Sequence, residues 1–140
     1  MSVRIETVYE GGLHCRAVHG PSKAELSTDA PVDNQGRGES FSPTDLVATA
    51  LGSCMLTTMG IVAKRHDWSL QGATATVKKV MVADPARRIG RLEVAIQVPA
   101  ELDARARETL EKTAQTCPVH KSLASNVEIP IAFAWGSSAG

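Results

Sequence analysis

The chain has no net charge: fifteen Lys and Arg balance fifteen Asp and Glu over 140 residues. A neutral surface offers no global field to recruit nucleic acid or anionic lipid, so neither is expected as a partner. No basic segment precedes an apolar run at the start, which argues against secretion. The cysteines, Cys15, Cys54 and Cys117, are few and odd in number. That suits a reducing compartment better than a disulfide framework, and the cytoplasm is the expected location. No CxxC pair, HExxH helix, Walker loop or GxSxG turn is present, which removes several common chemistries. There is no internal repeat and no low-complexity block, and residues 1–140 are expected to form a single domain.

What is present centres on residues 42–65. Ser42 can cap a helix, Pro43 suits its first turn, and Asp45 stands three residues after the cap. No charged residue follows until Lys64, and apolar residues cover most of the helix circumference. Such a helix is expected to be buried. Thr49, Gly52, Ser53, Cys54, Thr57, Thr58 and Gly60 leave it too polar and small-sided for a convincing membrane span.

Around this helix the pattern predicts strands at 3–9, 13–18 and about 23–27, with turns at Gly11-Gly12 and Gly20-Pro21. A flexible loop rich in Gly, Pro and Ser spans 30–41 and carries one basic residue, Arg37. Residues 73–82 predict a strand, with a bulge signalled by Lys78-Lys79. In 91–98 Leu92, Val94, Ile96 and Val98 share one face of another strand. An amphipathic helix is predicted over 102–116, its stripe Leu102, Ala106, Leu110 and Ala114. Pro118 then opens a fresh turn. Val127 to Trp135 alternate as a last strand, with Pro130 favouring an edge position, and 136–140 should fray. This order suggests an α+β fold with one small sheet and helices on one side. Too little chain remains to cover the apolar helix on every side, so a homodimer is expected.

Two of the three thiols have special local settings. Cys54 lies mid-helix after Gly52 and Ser53, small residues that allow another segment to approach. Cys117 precedes Pro118 and can cap the new turn, where the helix dipole and free N–H groups favour a thiolate. Cys15 has no comparable device and reads as structural or incidental. Cys117-Pro118-Val119-His120 has a tolerable metal-ligand spacing, but no second close pair completes a site, so no metal is expected.

Ser42 to Cys54, SPTDLVATALGSC, together with Thr116-Cys117-Pro118-Val119, resembles the osmotically inducible protein C / organic hydroperoxide resistance superfamily. The element order fits from Val3 to about Trp135, and the pattern is nearest its less characterised OsmC-like branch. The resemblance implies antiparallel sheets wrapped around a long buried central helix in an intertwined homodimer. It also implies a cysteine-based peroxidase for organic or lipid hydroperoxides in oxidative-stress defence. Cys54 would attack the peroxide and Cys117 would resolve the resulting sulfenic acid as a disulfide. A thiol, typically a dihydrolipoyl group, would restore the dithiol, and no cofactor is implied.

A buried thiol ionises poorly, so Cys54 needs a nearby cation. By resemblance Arg37 is the first candidate and Arg16 the second. Characterised peroxidase members carry a glutamate ten residues before the first cysteine, holding that arginine. This chain has Thr44 there, and Asp45 is the nearest carboxylate, with a competing task as cap partner. The alternative reading is a non-catalytic protein that binds a small molecule or thiol metabolite in the interface cleft.

Overall fold

A computed structural model describes residues 1–136. The chain divides into two compact units, Met1–Val47 and the part from Ala48 onward, with the boundary inside the long helix.

The first unit is a three-stranded antiparallel meander, β1 (Ile5–Tyr9), β2 (His14–His19) and β3 (Glu25–Asp29), in that spatial order. Gly11 and Gly12 turn the chain at φ +86° and +62°, in the left-handed region glycine tolerates best. The third strand starts two residues later than the pattern suggests. Its turn consumes residues 20–24: the Lys23 N–H donates to His19 O and the His19 N–H to Ala24 O (both 2.8 Å). This sheet has no apolar core of its own. Every residue of β1 is exposed, and Ile5, Val8, Tyr9 and Leu26 are all open. The fully buried side chains of this unit are polar, Asp29 and Ser42.

The expected loop, 30–41, is tied to the sheet. It contains one 3-10 turn (Val32–Asn34) and is tied at both ends. The Ala30 N–H donates to Leu13 O (3.0 Å), the Asp29 N–H to Phe41 O (3.1 Å), and Ser40 Oγ to Ser27 O (3.0 Å). Gly36 lies so close to the Ala30 carbonyl that a side chain there would overlap it. Helix α1 (Pro43–Arg65) then starts with a reciprocal cap. The Asp45 N–H donates to Ser42 Oγ (3.1 Å), and the Ser42 N–H donates to Asp45 Oδ2 (2.9 Å).

In the second unit α1 is not buried all round. Ala48, Leu51, Gly52, Met55, Met59 and Ala63 form one buried stripe, while Ala50, Ser53, Thr57 and Ile61 face outward. The stripe rests partly on β4 (Thr74–Val82): a Cβ at Gly52 would come within 3.0 Å of Val77 Cγ2. By length and composition alone α1 could cross a membrane, and a third of its apolar window is buried inside the protein.

β4 pairs antiparallel with β5 (Arg88–Val98), whose Leu92, Val94, Ile96 and Val98 are all buried, as their alternation predicts. The bulge falls later than Lys78-Lys79. The register shifts between Val80 and Met81 because Gly90 is the extra residue on β5, and the strand starts at Arg88 rather than closing a turn at Gly90. A Cβ at Gly90 would press on Val82 Cγ1 at 2.5 Å, so only glycine fits.

α2 (Ala104–Gln115) begins after Asp103, whose carboxylate accepts from the Ala106 N–H (2.8 Å); this leaves Leu102 outside the helix. Ala106, Leu110 and Ala114 are buried. α3 (Pro118–Ser122) follows, and β6 (Ile131–Trp135) takes an edge beside β5. β6 runs parallel to β5, so this sheet is mixed rather than antiparallel. The α2–α3 crossover is long enough to bring the chain back in the same direction. The fold is thus α+β with two three-stranded sheets, where composition suggested one. Gly136 is held, its N–H donating to Val98 O (2.8 Å); the rest of the expected frayed end lies outside the described residues.

Candidate functional site

Cys54 and Cys117 are brought together by the second unit. Cys54 is half-buried in α1, and Cys117 is 1% exposed at the α2–α3 junction. Both are free thiols, near enough for Cys54 to influence the ionisation of Cys117. The positions follow from local rules. The α2 stripe carries the chain inward through Ala114, and Pro118 ends that helix and starts the next. Cys117 becomes the N-cap of α3, its sulfur accepting from the His120 N–H at 3.4 Å.

Capping does not decide the charge on Cys117. Burial pushes its thiol above the ordinary value of 9.0, and the His120 and Val119 N–H groups oppose this without overcoming it. The neighbouring Cys54 raises it further. Desolvation thus works against an ionised Cys117 in this setting. The thiolate expected at Cys117 from the dipole alone is corrected by desolvation.

The residues proposed to activate the thiol lie in the first unit. Arg16 is committed within its own sheet: Nη1 donates to Glu25 Oε1 (2.6 Å) and Nε to Glu10 Oε2 (3.3 Å). These two carboxylates raise its already high pKa. Arg37 is exposed, and its guanidinium lies across the backbone of Gly12. Asp45 does take the cap task described above. Cys15, half-buried, stands in β2 opposite Tyr9 and Thr28. Among the described residues no three His, Cys, Asp or Glu side chains converge to hold a metal, so Cys54, Cys117 and His120 do not form such a site.

Sequence reasoning missed one polar cluster. His14 Nδ1 and Asp29 Oδ1 are 2.6 Å apart, and His14 Nε2 stands 3.6 Å from Glu10 Oε1. The only sequence signal was His14 beside Cys15; its partner is fifteen positions away and meets it through the β2–β3 register.

Comparison with known proteins supports the family. A crystal structure from Psychrobacter arcticus, named for osmotic stress induction and a detoxification response, is 46% identical, with a TM-score of 0.88 over 92% of this chain and 93% of that one. An organic hydroperoxide resistance protein OsmC from Legionella pneumophila matches at 18% identity and a TM-score of 0.77, covering 96% and 97% of the two chains. The organic hydroperoxide resistance protein OhrB of Bacillus subtilis matches at 16% identity and a TM-score of 0.68, covering 95% and 98%. Likeness at these lower identities shows the fold alone. No curated protein matches the chain. The family model for OsmC-like proteins matches residues 36–132, well over half of the chain. The chain belongs to the OsmC-like protein family.

Proposed function

We propose that this protein is a thiol-dependent peroxidase that reduces organic hydroperoxides through Cys54 and Cys117. The observation that carries the reading is the pairing, within one unit, of a half-buried free thiol at Cys54 with a buried one at Cys117 whose ionisation Cys54 affects. A Cys54 thiolate attacks the outer oxygen of ROOH; the O–O bond breaks, the alkoxide leaves and takes a proton as ROH, and the sulfur becomes a sulfenic acid. Cys117 then forms the S–S bond, and the sulfenic oxygen leaves as water. A dithiol reductant of the dihydrolipoyl class returns both sulfurs to thiols and is itself oxidised.

By the family resemblance Arg37 is the first candidate for the cation that activates Cys54, and Asp45, the cap partner of Ser42, is the candidate carboxylate in place of the glutamate. Arg16 is the weaker candidate because Glu10 and Glu25 already hold it. The working form is a homodimer. Its support is the open face of α1 and the exposed apolar side chains of β1, which one chain leaves uncovered. Cytoplasmic residence fits the unpaired cysteines.

The test is consumption of cumene hydroperoxide with a dithiol reductant. Cys54→Ser should abolish it; a Cys54→Ser protein as active as wild type would exclude the mechanism. One observation favours a second reading, a binding protein for a small apolar ligand: Thr44 stands where characterised peroxidases carry glutamate. Ligand retained in native mass spectrometry, with thiols inert to peroxide, would select it.

A further inference from the structure

We propose that His14 and Asp29 form a positioning clasp that fixes the 30–41 loop and, through it, the side chain of Arg37. The inference rests on the peroxidase reading for its consequence, though its geometry lies wholly within the first unit. Asp29 is 3% exposed, and a carboxylate so buried requires a strong donor. His14 Nδ1 at 2.6 Å supplies it, and Glu10 Oε1 at 3.6 Å stands against the other ring nitrogen. The two residues are direct cross-strand partners, and they sit where the loop is tied to the sheet.

The ties are adjacent in the chain. Asp29's own N–H donates to Phe41 O, closing the loop at its far end. The neighbouring Ala30 N–H donates to Leu13 O, next to His14, and Ala30 O accepts from the Gly38 N–H (3.3 Å). Arg37 lies between Gly36, packed on Ala30, and Gly38, and its guanidinium covers Gly12, two residues before His14. The His14–Asp29 bond adds a side-chain link, beside the Ala30–Leu13 backbone bond, between the two surfaces that locate Arg37, the 10–13 turn and the Ala30 backbone. Losing that bond leaves both surfaces to the backbone ties alone and loosens them together.

The experiment compares His14→Ala with His14→Asn, whose amide nitrogen can stand near the position of Nδ1 and keep the donor to Asp29. Amide hydrogen exchange over 30–41 should quicken about tenfold or more in His14→Ala, the size expected when a charge-assisted hydrogen bond is lost. It should return to near wild type in His14→Asn, with β4–β6 unchanged in both. kcat/KM for cumene hydroperoxide should fall with His14→Ala, recover with His14→Asn, and show no further fall when His14→Ala is added to Arg37→Ala. Unchanged loop exchange in His14→Ala, or a full additional loss in the Arg37→Ala background, overturns the clasp. A wild-type protein without peroxidase activity overturns the functional reading instead, and the exchange result then decides the clasp alone. Should His14→Ala not fold, His14→Gln, with its amide displaced from the Nδ1 position, takes its place in the same comparison.

Discussion

At the scale of single residues, the account turns on how two sulfurs divide their work. Cys117→Ser should leave the first chemical step intact and stop the cycle there, so one equivalent of cumene hydroperoxide should yield a Cys54 sulfenic acid that dimedone traps. Wild type should yield none. The raised thiol of Cys117 also makes a stability prediction. A proton held more tightly in the folded than in the unfolded chain stabilises the fold below the unfolded thiol range, and that contribution is lost as pH rises past about 9. Under reducing conditions the urea midpoint of wild type should therefore fall between about pH 8 and 10 more steeply than that of Cys117→Ser. The capping place of Cys117 was legible from Pro118 beside it. Its charge was not, because burial comes from the α2 stripe that carries it inward, a consequence of packing. The His14–Asp29 pair was hidden for a similar reason, since only strand register unites residues so far apart.

Among the elements, the strongest period and cap signals survived into the fold. α1 opens at the Ser42–Asp45 cap and ends at Arg65, and β5 buries the alternating face that its sequence displays. What failed to show was what depends on pairing between segments. Lys78-Lys79 drew the bulge onto β4 because two charges in sequence break alternation, whereas the extra residue is Gly90 on β5, where backbone crowding against Val82 matters. The parallel course of β6 likewise depends on the crossover before it. Gly90→Ala should cost about 1–3 kcal/mol in urea unfolding, because Val82 has no flexible end to move aside. Leu110→Ala, which empties a fully buried site on α2, should cost about 2–5 kcal/mol.

For the whole molecule, the apolar helix was recognisable from its lack of charge, and so was the shortage of chain to cover it. A single stripe is covered, and Ile61 remains 49% exposed on the other side. The proposed homodimer would cover that surface: light scattering should report twice the chain mass, and Ile61→Glu should reduce it to the mass of one chain. The central claim is narrower, that Cys54 and Cys117 act as one redox pair and Cys15 stands apart. Counting free thiols before and after one equivalent of cumene hydroperoxide tests it most directly. The prediction is a fall from the three thiols present to Cys15 alone, reversed by dithiothreitol. An unchanged count, or a loss that includes Cys15 while Cys117 stays free, would contradict it.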